Sequence, residues 1–210
     1  MPLFLVARTH GNAAAFFGDE WEMVRLIGSA HHEPRHDWIR SFGRNESGFC
    51  IFRGPDAREL GIQQRLCALP FDEIREVEEV NGAAAGPGID EAPEGWSLYL
   101  VERTFLDGAT GRLIEVNGPH AEGSQGVLWL RSYWDPERHL SRCIFAARTS
   151  AAVREAVMLS PVGIDRLTRV STVHPSMWAE IYDRLGLPRH WESPQSGATP
   201  GFPPLYAANW

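Results

Sequence analysis

Two groups of residues have the types and spacing for chemistry. The first is His31, His32 and His36 in the run HHEPRH, the one histidine cluster of the chain. Imidazole nitrogens suit nickel, copper and zinc, and on a helix His32 and His36 would share a face at i, i+4. Pro34 stands between them and interrupts such a helix, so a solvated polar loop is the competing reading. Glu33 and Asp37 would complete a metal site in the first reading and are surface charges in the second. The second group lies in two short segments, WIRSF at 38–42 and WLRSY at 129–133. Strand alternation places Trp38, Arg40 and Phe42 on one side and Ile39 and Ser41 on the other, with Trp129, Arg131 and Tyr133 matching the first set. Two guanidiniums among aromatic rings would cradle an anionic or aromatic ligand. The alternative is that each Arg pairs with an acid such as Glu76, Glu78 or Glu102 and fills the space.

Those two segments belong to a repeat. Leu3–Thr9 (LFLVART) matches residues 98–104 (LYLVERT) at an offset of 95, and residues 38–42 match 129–133 at 91. Residues 50–52 and 74–80 match 143–145 and 167–173 at 93. Landmarks that keep their order while the offset drifts by a few residues are what duplication and loop changes leave. In each half the pattern reads strand, helix, strand, strand, helix, strand. In the first half these are residues 3–9, a helix from about Asp19 with Met23, Leu26, Ile27 and Ala30 as its stripe, 38–42, 49–52, a helix ending at Leu66, and 73–80. In the second they are 98–104, a short helix near 112–116, 129–133, 142–146, 151–159 and 167–173. Residues 176–185 form a further helix candidate, with Trp178, Ile181, Tyr182 and Leu185 on one face.

Repeats of this order predict an α+β protein of two tandem ferredoxin-like βαββαβ units. Their antiparallel sheets would pack face to face as a pseudo-dimeric α/β barrel. The implied organisation is repeat one at 1–80, a Gly/Ala/Pro linker at 81–95, repeat two at 96–174, and a C-terminal helix with a Pro/Gly/aromatic tail at 175–210. The Trp/Arg/aromatic sets would face the space between the sheets, because an unpaired Arg is costly beneath a helix.

The segments LYLVERT, WLRSY, CIF at 143–145, AAVREA at 151–156 and LCALPFDEIREV at 66–77 resemble, in order, the motifs of a family of small nickel-binding ferredoxin-like proteins of unknown function. The resemblance spans nearly everything except linker and tail. It implies sheet-to-sheet pairing, and nickel or another divalent transition metal as ligand. Where family members carry His in the strand-two motif and the second helix, this chain holds Arg40 and Arg131, then Gln63 and Ala156. A metal site would therefore use His31, His32 and His36 as substitute ligands. Glu102 of LVER has Ala7 as its counterpart.

The whole chain narrows the classes. Its net charge of −7 and acidic balance oppose phosphate backbones, so nucleic acid is not an expected partner. No window approaches the ~20 apolar residues of a membrane span, and no secretory leader pattern opens the chain. A cytoplasmic protein is expected. Three cysteines without C-x-x-C spacing indicate neither a disulfide framework nor a zinc knuckle. No G-x-S-x-G, H-E-x-x-H, P-loop or G-x-G-x-x-G occurs, and His120, His139 and His174 are isolated. The sequence reading is a protein that binds a small ligand or metal ion, without an identified catalytic apparatus. The alternatives are an α/β-barrel enzyme or binder using Arg40, Arg131 and Glu102, and an interaction module whose aromatic tail makes a homo-oligomer.

Overall fold

The computed structural model describes residues 1–9, 11, 36–44, 47–66, 69–81, 93–106, 126–158 and 162–173. Eight strands occupy the segments with strand character: β1 Leu3–Thr9, β2 Asp37–Arg44, β3 Ser47–Arg53, β4 Glu73–Asn81, β5 Ser97–Thr104, β6 Val127–Asp135, β7 Leu140–Ala147 and β8 Arg166–Val173. Two helices accompany them, α1 Ala57–Leu66 and α2 Ser150–Met158. Each starts on a side-chain cap that takes up an otherwise orphan amide. Asp56 Oδ1 accepts from Glu59 N at 2.8 Å, and Thr149 Oγ1 accepts from Ala152 N at 3.2 Å. The helix candidates at 19–30, 112–116 and 176–185, most of the linker and the tail lie outside the described residues.

The expected tandem of ferredoxin-like units with sheets packed face to face is not what forms. The strands make one closed antiparallel barrel in the order β1-β3-β2-β8-β5-β7-β6-β4, with one helix per half among the described residues. Edge hydrogen bonding is the reason. Two separate four-stranded sheets would expose the unpaired N–H and C=O groups of four edge strands. Here residues 41–43 of β2 pair with 171–173 of β8, and 78–81 of β4 with 131–134 of β6. Closure leaves no edge.

The halves still correspond strand by strand. β1 pairs along its length with β3, and β5 with β7. Asp72 accepts from the amide of Thr9 at the end of β1, and Asp165 from that of Thr104 at the end of β5. An eight-stranded barrel is just wide enough for its side chains to fill, and the interior holds Leu5, Phe42, Phe49, Ile51, Leu100, Tyr133 and Ile144. Outside the second half, α2 lays Val153, Ala156 and Val157 on Trp129, Trp134, Cys143 and Phe145. One end of the barrel is where β2 turns into β3 and β6 into β7, the hairpin end. At the other, β3 and β7 lead into α1 and α2.

Candidate functional site

The two aromatic/Arg segments are split by a bulge. In β2 the register slips between Trp38 and Arg40, and in β6 between Trp129 and Arg131, so Ile39 and Leu130 are each an extra residue. The strict alternation expected from the sequence is therefore broken. Trp38 and Trp129 turn to the helix-covered outside, where their indole N–H groups donate to Ser41 Oγ at 3.0 Å and Ser132 Oγ at 2.9 Å. Arg40, Phe42, Arg131 and Tyr133 turn into the barrel. Five of the seven expected ligand-contacting residues thus face the interior, Glu102 among them, since Tyr133 pairs with Arg142 and Arg142 with Glu102, and the two tryptophans are core.

Phe42, Phe49 and Tyr133 pack ring against ring, with centroids 6.3 Å apart for Phe42–Tyr133 and 5.8 Å for Phe49–Tyr133. Glu79 lies opposite Tyr133 in the β4–β6 register, and its Oε1 takes a 2.7 Å ion pair from Arg131 Nη1. Both partners are about a quarter exposed, at 21% and 25%, so this mouth of the barrel meets solvent. Among the described residues the buried Tyr133 hydroxyl has no partner at hydrogen-bond geometry, and neither has the buried Arg131 Nε. Burial, helped by the Glu79 carboxylate, pushes the phenol up to about 12, while nearby Arg131 and Arg40 pull it down. At neutral pH Tyr133 is protonated. The Arg131 guanidinium lies near enough to interact with the phenol oxygen, but among the described residues neither the Tyr133 O–H nor the Arg131 Nε–H has an acceptor at hydrogen-bond geometry.

The corresponding position in the other half is different. Phe42 pairs with Thr172 as Tyr133 pairs with Glu79. The first half thus places a ring without a hydroxyl opposite a threonine, and Thr172 Oγ1 is buried and lacks a hydrogen-bond partner. Leu3, Ile39, Leu98 and Leu128, packed on the interior core, make the rest of this mouth apolar.

Glu102 belongs elsewhere, at the hairpin end. It accepts from Arg142 Nε at 3.1 Å and lies 4.0 Å from Arg166 Nε. Glu73 receives Arg138 and Arg75 and lies 4.0 Å from Arg142, while Arg75 donates to Glu137 at 2.7 Å. Arg166 also donates to Ser47 Oγ at 3.0 Å. The network ties the halves together around a cavity of about 40 Å³ lined in part by Ser47, Phe49, Leu100, Glu102, Arg142 and Arg166. That is room for about three water molecules.

The metal expectation is corrected. Among the described residues no group of three or more His, Cys, Asp or Glu side chains is placed to hold an ion, and a nickel site is not supported. His31 and His32 lie outside the described residues. His36 is buried, with Nε2 at 3.3 Å from the Asp56 carbonyl oxygen. It fills space over Gly54, where a Cβ would come within 2.0 Å of the ring. It is a packing residue. Cys50 and Cys143 are also buried, and desolvation raises both thiols, which leaves them inert.

Sequence reasoning missed Glu79 and Thr172. In EVEEV and STV they look like ordinary solvated positions, but the repeat offset aligns them, and that alignment was the available signal. Among the described residues no helix is long and apolar enough to cross a membrane.

No family model matches the chain, and no curated protein matches it in sequence. Among solved structures it is similar to a provisionally assigned monooxygenase from Lactobacillus acidophilus NCFM, with TM-score 0.45 and 9% identity over 82% of this chain and 96% of that one. It is also similar to an anthrone oxidase-like protein, with TM-score 0.49 and 10% identity over 82% and 93%. A provisionally assigned monooxygenase from Fusobacterium nucleatum gives TM-score 0.44 and 8% identity over 82% and 92%.

Proposed function

We propose that this protein binds a small, mainly apolar organic molecule carrying a carbonyl or carboxylate oxygen, at the barrel mouth formed by Tyr133, Arg131, Glu79, Arg40 and Thr172. The observation that supports the reading is the buried Tyr133 hydroxyl without a partner. A buried donor left unmade costs on the order of 1–3 kcal/mol, and such a group calls for an explanation, for which we take a bound acceptor. Because the phenol stays protonated, it donates, and Arg131 Nε donates beside it. The complementary group is an acceptor oxygen, and the leucines and Ile39 around it favour an apolar body.

In this arrangement Glu79 holds the Arg131 guanidinium in place through Nη1, which leaves Nε aimed at the ligand. Phe42 and Phe49 offer ring faces to its apolar part. The test is a calorimetric titration of the full chain with a panel of small aromatic and alicyclic carboxylates and ketones, beside Tyr133→Phe. Binding that weakens about tenfold or more in the variant, with its fold intact, supports the reading. Equal binding by both proteins, or none by the wild type across the panel, rejects it.

A further inference from the structure

We infer that the ligand of this mouth is two-ended: an acceptor oxygen at Tyr133 and Arg131, an apolar middle against Phe42, and a second oxygen function at Thr172. The inference rests on the binding reading above and adds the ligand's shape and chemistry. It comes from the duplication. The barrel brings two equivalent positions to one mouth, and the halves have filled them differently.

Opposite the second half's ring, Tyr133, the first half's β4 places a carboxylate, Glu79, engaged by Arg131 at 2.7 Å. Opposite the first half's ring, Phe42, the second half's β8 places Thr172, whose buried hydroxyl has no partner among the described residues. A threonine hydroxyl both donates and accepts. It therefore suits a ligand hydroxyl or carbonyl rather than selecting for charge. The two orphan groups sit on different strands of the second half, Tyr133 on β6 and Thr172 on β8, and the Phe42 and Tyr133 rings are 6.3 Å apart between centroids. Phe42 has no hydroxyl, so the Tyr133 donor is not duplicated on its side. A ligand with one acidic or carbonyl end and one neutral oxygen at the other fits this difference, and its orientation is fixed by it. The substrate class is a small aromatic or alicyclic acid or ketone bearing a distal hydroxyl or keto group.

The experiment compares one-ended and two-ended probes: benzoate with para-hydroxybenzoate, and naphthoate with its ring-hydroxylated derivatives. Affinities are measured for the wild type, Thr172→Val, Thr172→Ser and Tyr133→Phe, with thermal unfolding to confirm each fold. The wild type is expected to prefer the hydroxylated acid about tenfold, the worth of one well-placed hydrogen bond to a buried group. Thr172→Val brings that ratio close to one, Thr172→Ser restores it, and Tyr133→Phe weakens both acids while keeping the ratio. A wild type without the preference, or a Thr172→Val variant that retains it, overturns the two-ended ligand and leaves the binding reading standing. Tyr133→Phe without effect on either acid, or no binding by any probe, removes both.

Discussion

The two ends of this barrel use the same residue types to opposite effect. At the hairpin end Glu73, Glu102, Glu137, Arg75, Arg138, Arg142 and Arg166 pair with one another across the halves, and Glu102, Arg142 and Arg166 line a cavity with room for about three waters. At the other end Arg131 has its Glu79, but the Tyr133 hydroxyl, Arg131 Nε and Thr172 Oγ1 are buried without acceptors or donors. Charged side chains inside a barrel are therefore no guide to a site by themselves. Groups that complete one another are structure; an incomplete one needs a reason, and single orphans such as Asp135 Oδ2 also occur at the hairpin end, whereas among the described residues the mouth gathers three.

The largest effect expected from that contrast is at the hairpin end. Glu102→Ala leaves the Arg142 side chain, 9% exposed, without its nearest carboxylate. Urea unfolding should show a loss of about 3 kcal/mol, with ligand titration at the other mouth unchanged. A stable variant with lost binding would reverse the assignment of the two ends.

Next comes pH. Folding favours the protonated phenol of Tyr133, so its contribution is whole below pH 10, the ordinary tyrosine value. It disappears as pH rises toward the folded value of about 12. Stability should fall by roughly 2–3 kcal/mol across that interval. All twenty basic side chains are Arg, so no lysine titrates there, but the buried Cys50 and Cys143 thiols, also raised, add an alkaline loss of their own, and the Tyr133 share is the difference between wild type and Tyr133→Phe. Tyr133→Phe should flatten the profile relative to wild type; an unchanged profile would mean the phenol is not held in a dry site.

Smaller still is Glu79→Gln, which keeps the shape and removes the negative charge beside the acceptor position. The Tyr133 pKa should fall and an acidic probe bind several-fold tighter. Phenolate absorbance and calorimetry read the two effects. Smallest, Trp38→Phe and Trp129→Phe each delete one indole hydrogen bond to serine. About 1 kcal/mol should be lost in either half, with no change in affinity. An affinity change would return the tryptophans to the mouth.

Much of the strand framework was legible because β-branched and aromatic runs repeat at a nearly constant offset. What hid the rest was long-range. Edge closure between β2 and β8 depends on residues more than a hundred positions apart, and nothing local distinguishes it from two stacked sheets. The bulges at Ile39 and Leu130 leave no mark in WIRSF or WLRSY, so a period of two put the tryptophans on the wrong face. Arg8 shows the limit of reasoning from cost alone. It lies fully buried on the helix side of β1, donating to Gln64 Oε1 at 2.7 Å and to Cys50 Sγ at 3.3 Å, so a paired Arg does sit beneath a helix. Arg40, Arg131 and Tyr133 were found from residue type, whereas Glu79 and Thr172 required the register.

The measurement that bears most directly on the difference between the ends is a parallel titration of wild type, Tyr133→Phe and Glu102→Ala with the small-acid panel. The prediction is that Tyr133→Phe loses about tenfold or more in affinity while the free protein gains stability, whereas Glu102→Ala loses stability at unchanged affinity. Affinity lost through Glu102 and kept without the Tyr133 hydroxyl would contradict the account.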